Sequence, residues 1–261
     1  MDLPMVSASR ASSGGTVIAA ALVAAGLVGF AHGAGAAPAW VRRALALGRS
    51  GDRQIVAPPT AHYLSDGGAG FILDRSGGRA LLKFDGSPEV WVLSSSRGPR
   101  GDMIYTNDLG EPFLRATKLG GMTVFTPRRP EGAAVALMGP SSPLRLSPLG
   151  PVALYQRLVQ ASIRSTRAAQ HLVGFEAANA DINSDGLIAD AAAVTVEAMV
   201  ALSARAGGKA LLARVGKVSF TPGARPGVSV YAGIVTVTIV PAQGLAGRPS
   251  SERIQRALGA R

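Results

Sequence analysis

The 261-residue chain contains no cysteine. That excludes disulfides, thiolate nucleophiles and cysteine-ligated metal centres. Histidine is almost as scarce, with only His32, His62 and His171, so a site built from several imidazoles is not expected. Aromatic residues make up 5% of the chain, which leaves Ala, Val and Leu to fill the core. Acid is short too: 16 Asp and Glu stand against 27 Lys and Arg, and only Lys83, Lys118, Lys209 and Lys217 are lysine. The net charge of +11 favours anionic partners, although heavy Arg, Ala, Gly and Pro use is also what a GC-rich coding bias produces. The basic regions lack interleaved aromatics and no nucleic-acid-binding module is visible, so no nucleic-acid partner is expected.

What the chain does have begins with an uncharged run, Thr16 to Ala31. It is short for a membrane span, which needs about 20 residues, and fits the apolar core of an export signal. Arg10 supplies the positive start, and Ala34-Gly35-Ala36 supplies a small-residue cleavage site. Residues 1–36 are therefore expected to be a signal segment, removed to give a periplasmic or secreted protein that begins at Ala37. The alternative is an uncleaved anchor in the inner membrane. Arg10 and Asp2 cancel, so the mature chain keeps the whole positive charge.

Residues 37–59 read as a linker ending in Pro58-Pro59. Residues 60–261 read as a single α+β domain. Over 60–127, short apolar runs recur about every ten residues with Gly, Asp and Pro between them, the signature of an antiparallel β-meander or small barrel. Phe71, Leu73, Val90, Val92 and Val124 are the expected filling. Residues 128–150, with Pro130, Pro140, Pro143 and Pro148, read as a crossover loop. Residues 151–206 read as a helical hairpin, with helices over about 151–175 and 187–205. The first has a stripe of Leu154, Leu158, Ala161, Ala168 and Leu172. Eight bases and one acid lie between Pro112 and Phe175, and five acids with no base between Glu176 and Ala204. An antiparallel pairing would set Arg164 or Arg167 against Asp190, and Arg157 against Glu197. Residues 216–240 read as a three-stranded β-meander in which Val235, Val237 and Ile239 face inward. A terminal helix capped by Ser250 or Ser251 follows.

No motif carries chemistry. Asp181-Ile-Asn-Ser-Asp-Gly-Leu-Ile188 spells the first part of a calcium loop, but Ala192 stands where a bidentate Glu is needed. Phe71-Ile-Leu-Asp74-Arg-Ser-Gly77 has a faint likeness to the turn of aspartic proteases, without a second copy. Arg100-Gly101-Asp102 is the integrin tripeptide by spelling, and no role is assigned to it. There is no Walker loop, no complete dinucleotide fingerprint and no nucleophile elbow. His62 has no evident partner, and His171 reads as a solvated base. No cofactor or metal is expected, and no catalytic residues are assigned.

The segments Arg79-ALLKFDGSPEVWVL-Ser94, Arg100-GDMIYTNDLGEPFLRATKLGGMTVFTP-Arg128 and Gly247-RPSSERIQRAL-Gly259 resemble an exported alphaproteobacterial family known as domain of unknown function number 4908. The resemblance spans nearly all of the mature chain. It implies one architecture and brings no activity.

Two functions follow as expectations. The first is a non-enzymatic, envelope-associated binding or structural module whose basic surface meets a lipid headgroup, a cell-wall polymer or another protein. Arg115, Arg128, Arg129, Arg157 and Arg164 are its candidate residues. The second is a hydrolase of unrecognised type that uses carboxylates near β-turns, such as Asp74, Asp85 or Asp108. Two close carboxylates in a cleft, one of them held protonated, would favour the second. The export reading has a direct check. The intact mass of protein made in its host should match a chain that starts at Ala37, and a mass that retains Thr16 to Ala31 contradicts cleavage.

Overall fold

Eight short strands separated by tight turns wind up and down into a closed antiparallel barrel: β1 (Ala61–Ser65), β2 (Gly70–Asp74), β3 (Ala80–Phe84), β4 (Val90–Arg97), β5 (Met103–Thr106), β6 (Pro112–Ala116), β7 (Met122–Thr126) and β8 (Arg129–Pro140). The computed structural model describes residues 57–178 and 184–259. The expected signal segment and most of the expected linker lie outside those residues, as do Asp181 and Asn183 of the calcium-like loop.

The meander of short runs is present as expected, and the barrel extends it at both ends. β8 closes the barrel on β1, with Val135 opposite Ser65 and Pro140 opposite Ala61. This corrects the reading of 128–150 as loop throughout. Its prolines mark the ends of the strand and not its absence: Pro130 lies beside the tight β7–β8 turn and Pro140 is the last residue. Terminal positions tolerate a missing N–H. The core is packed by Tyr63, Phe71, Leu73, Leu82, Leu93, Tyr105, Leu114 and Val124. On β4 the inward residues are Trp91 and Leu93, so the expected inward set of Val90 and Val92 is off by one. Alternation in a strand makes such a slip exchange the two faces.

The second layer is a mixed four-stranded sheet in the order β11-β12-β10-β9, with β9 (Gly174–Ala177), β10 (Lys217–Pro222), β11 (Gly227–Tyr231) and β12 (Ile234–Ile239). β10 is parallel to both β9 and β12, and β11 is antiparallel to β12. The expected three-strand meander is thereby corrected. β12 inserts between β10 and β11, and β9 adds a fourth strand. Val235, Val237 and Ile239 are buried as their alternation with Thr236 and Thr238 predicts.

Helix α1 (Pro151–Ala169) ends where Gln170 turns left-handed at φ 63. The chain then enters β9, which replaces the last turns expected of that helix. Leu172 accordingly lies outside the stripe and is exposed, and Ala169 takes the buried place expected of Ala168. Helix α2 (Asp185–Ser203) crosses from β9 to β10. By length and composition it is apolar enough to span a bilayer, but Leu187, Ile188, Val194 and Met199 are buried in this layer's core. A short helix α3 (Gly208–Leu212) leads into β10, and α4 (Ser251–Gly259) ends the chain.

The helical hairpin is corrected in the same way. With β9 between them, α1 and α2 both run against the strands and therefore in the same direction. Two contacts mark this. The Ser147 carbonyl, just before α1, lies 2.6 Å from where a Cβ on Gly186 at the start of α2 would be. Further along both helices, Arg164 pairs with Glu197 at 2.7 Å. The expected partner, Asp190, is engaged elsewhere. Both side chains of the Arg164–Glu197 pair are partly exposed, so a double-mutant cycle should give a coupling of about 0.2–1 kcal/mol. The Arg164 and Asp190 cycle should give none, and the opposite result would restore the antiparallel arrangement.

Candidate functional site

After β12 the chain makes a short 3-10 turn, Pro241–Gly247, and delivers Arg248 into the seam between barrel and second layer. Its side chain is 1% exposed. Nε donates to the Asp190 carboxylate of α2, Nη2 to the Val90 carbonyl of β4 at 2.9 Å and Nη1 to the Pro249 carbonyl at 3.3 Å. Glu89, at the foot of β4, has an oxygen 4.0 Å from Nη1. Breaking such a buried set by removing one partner leaves an uncompensated charge, at a cost of about 3–5 kcal/mol.

The next residues dock α4 on the barrel. Glu89 accepts from the Ser251 N–H at 2.8 Å and hydroxyl at 2.6 Å. Asp108, in the β5–β6 turn, accepts from the Ser250 N–H at 3.1 Å and hydroxyl at 2.6 Å. Ser250 Oγ in turn accepts from the Arg253 N–H at 3.1 Å, which makes Ser250 the N-cap. Two barrel carboxylates thus sit at the positive end of the helix, where negative charge is favoured. Burial pushes the Glu89 carboxyl up, against the Ser251 bonds and the Arg248 charge.

Beside this junction lies a cleft of about 470 Å³. Arg79 from the β2–β3 turn, Arg225 from the β10–β11 loop and Arg253 from the first turn of α4 line it, over a floor that includes Ser94, Asp108 and Ser250. Among the described residues Arg79 and Arg225 have no ion-pair partner, and Arg253 has only Asp108, at 3.8 Å. Asp108 is already committed to Ser250. The cleft therefore presents more cation than its own carboxylates neutralise.

On the far side of the same turn a second cleft, about 580 Å³, holds Glu111 and Glu252. Both accept from Asn107 Nδ2, at 3.2 and 2.7 Å. Glu111 also pairs with Arg256 at 3.0 Å. Burial, then the neighbouring Glu111 and Glu89, push the Glu252 carboxyl up to about 7. Gln255 lines this cleft, and its Oε1 is buried with no hydrogen-bond partner.

The residues singled out in the sequence fall elsewhere. Asp74 accepts from the Ser76 and Leu144 N–H groups at 2.8 and 2.7 Å. Burial pushes its carboxyl up, but these bonds outweigh burial and hold it below the usual range. Asp85 pairs with His62 at 2.8 Å, the partner His62 lacked in sequence. Asp108 caps α4. The three aspartates thus hold three separate places in the fold. His171 bridges the Ala169 and Val215 carbonyls. Arg115 is neutralised by buried Asp102 at 2.5 Å and Arg164 by Glu197. Arg128 and Arg129 sit at the β7–β8 turn, while Arg157 lines a separate cleft beside α2. The expected set does not gather in one cleft; the arginines that line the seam cleft beside Arg248 are Arg79, Arg225 and Arg253. Their signal in sequence was weak, because three bases from distant segments share no spacing. Asp185 of the calcium-like loop is buried, with Oδ2 unpartnered. Among the described residues no group of three His, Asp or Glu side chains is placed to hold a metal.

A small closed barrel clamped to a mixed α/β layer, with a basic cleft at the seam, is the class that fold and site define. The sequence model of one family, described as domain of unknown function (DUF4908), matches residues 41–258, and the chain belongs to that family. No curated protein and no solved structure matches it.

The Glu252 carboxyl makes folding pH-dependent. Below the ordinary glutamate value of 4.5 it is protonated both folded and unfolded. From there to about 7 only the folded chain holds the proton, so its stabilising contribution is full at low pH and is lost as pH rises through 7. Thermal melts between pH 5 and 8 should show the wild type losing stability relative to Glu252→Gln. A constant difference across that range would contradict the upward shift of this carboxyl.

Proposed function

We propose that the protein is an exported, envelope-associated binding module that holds an anionic partner at the seam and performs no chemistry there. The observation that carries this reading is the convergence of Arg79, Arg225 and Arg253, from three separate elements, on one cleft with a single carboxylate already in use. A concave cationic surface concentrates field and raises the local concentration of anions. The uncharged N-terminal run and Ala34-Gly35-Ala36 support export, which brings lipid headgroups and cell-wall polymers within reach.

One observation favours the hydrolase alternative, at a place other than Asp74, Asp85 or Asp108. Glu111 and Glu252 share Asn107 in a cleft, and Glu252 keeps its proton near neutral pH. That is the arrangement of a general acid beside a carboxylate base. Turnover of an ester, glycoside or phosphoester panel, lost in Glu252→Gln, would establish it; no turnover in the wild type would end it.

The binding reading is tested by cosedimentation with phosphatidylglycerol vesicles and with sacculi. Binding to one of them should be strong in low salt and weaken steeply toward 1 M, where the Debye length falls from about 10 Å at 0.1 M to about 3 Å. The Arg79→Gln, Arg225→Gln, Arg253→Gln triple variant should bind at least tenfold more weakly, and Arg128→Glu, Arg129→Glu should retain most of the binding. No binding at low salt, or equal loss in both variants, contradicts the seam.

A further inference from the structure

We propose that the mouth of the barrel nearest Arg79 is a phosphate-binding pocket in which the Tyr105 hydroxyl is a donor to the ligand. The seam reading shares Arg79 and Ser94 with it, which line both places.

The argument starts from Tyr105. Its neighbours on β5 follow the barrel alternation, so the ring points inward and is 1% exposed. Its hydroxyl is buried without a hydrogen-bond partner. A buried phenol left unpaired is costly, and such groups are uncommon in folded proteins. Tyr63, the other tyrosine of the barrel core, donates to the Pro59 carbonyl at 2.8 Å. Of these two core tyrosines, Tyr105 is the one left unpaired.

Tyr105 lies against a pocket of about 290 Å³ whose other polar side chains are Arg75, Arg79, Ser94 and Ser95. Ser95 stands directly opposite Tyr105 on β4, two residues beyond inward-facing Leu93. Arg75 and Arg79 bracket the β2–β3 turn, and Gly77 and Gly78 between them leave its backbone uncovered by side chains. No carboxylate lines the pocket. Asp74, adjacent in the chain, is turned away, with its oxygens held by Ser76 and Leu144. Two guanidinium groups, a phenol and serine hydroxyls make a surface rich in donors. The complementary ligand is rich in acceptors and negatively charged. The donors come from β4, β5 and the β2–β3 turn, which suits a tetrahedral oxyanion better than a planar carboxylate. The volume lies at the lower edge of small-molecule sites, which start at about 300 Å³, so the pocket takes a phosphate group and little of its carrier.

Calorimetry on the full chain tests this with inorganic phosphate, glycerol 3-phosphate and acetate. Phosphate should bind, and acetate should bind at least tenfold more weakly. Equal affinity for glycerol 3-phosphate would point to a headgroup as the source, and binding of inorganic phosphate alone to the free ion. Tyr105→Phe should weaken phosphate about tenfold, the effect of one hydrogen bond to a charged group. It should leave the Tm unchanged or raised, because the deleted hydroxyl has no partner in the free protein. Arg225→Gln with Arg253→Gln should leave phosphate binding intact while impairing sedimentation with vesicles or sacculi, which separates this pocket from the seam. No heat with either phosphate probe at millimolar concentration, acetate binding as tightly as phosphate, or Tyr105→Phe binding like the wild type would overturn the proposal.

Discussion

Taking the Arg248 guanidinium out of water costs several kcal/mol, and the fold offsets that cost with acceptors that meet only at the seam. Asp190 comes from α2, the Val90 carbonyl from the barrel, and the Pro249 carbonyl from the chain on its way into α4. None of these elements alone could hold the charge. The barrel and the second layer are therefore bound to a single relative placement, within one unit that spans Asp52–Arg261. A chain without cysteine has no covalent clamp to use instead. The two hydrophobic cores, one inside the barrel and one between α1, α2 and the sheet, are separate clusters, so the polar contacts of Arg248 join two cores that do not merge.

That placement sets the surface chemistry. Docking α4 through Glu89 and Asp108 commits two barrel carboxylates to the start of the helix, where each also faces one arginine, Arg248 and Arg253. Among the described residues Arg79 and Arg225 are left without an ion-pair partner. The same turn, Asn107 to Glu111, has the basic cleft on one side and the Glu111–Glu252 pair on the other. The protein thus gathers positive charge and a proton-holding acid pair within one small region, both created by how the terminal helix meets the barrel.

Period-two alternation and regular turn spacing made most of the barrel legible in the sequence, because each strand carries its own local signal. β8 escaped because its prolines look like loop residues until the closing partner, β1, is known. β9 is four residues long and follows α1 after a short connection, so nothing local separates it from the helix. The direction of α2 relative to α1 followed from β9, and the segregated charges fitted either direction. Arg79 lies more than a hundred residues from Arg225 and Arg253, and Glu111 as far from Glu252. Their only trace in the sequence was the dense polar run from Arg248 to Arg256, whose partners are named by tertiary structure alone.

The account depends most on Arg248 making the two layers one cooperative unit. Native-state hydrogen exchange compares them directly through the amides of β3 and β4 on one side and of α2 and β12 on the other. In the wild type the slowest amides of both groups should report the same opening free energy, and in Arg248→Met the two values should separate. Distinct values already present in the wild type, or a common value that survives in Arg248→Met, would contradict the central place given to this side chain.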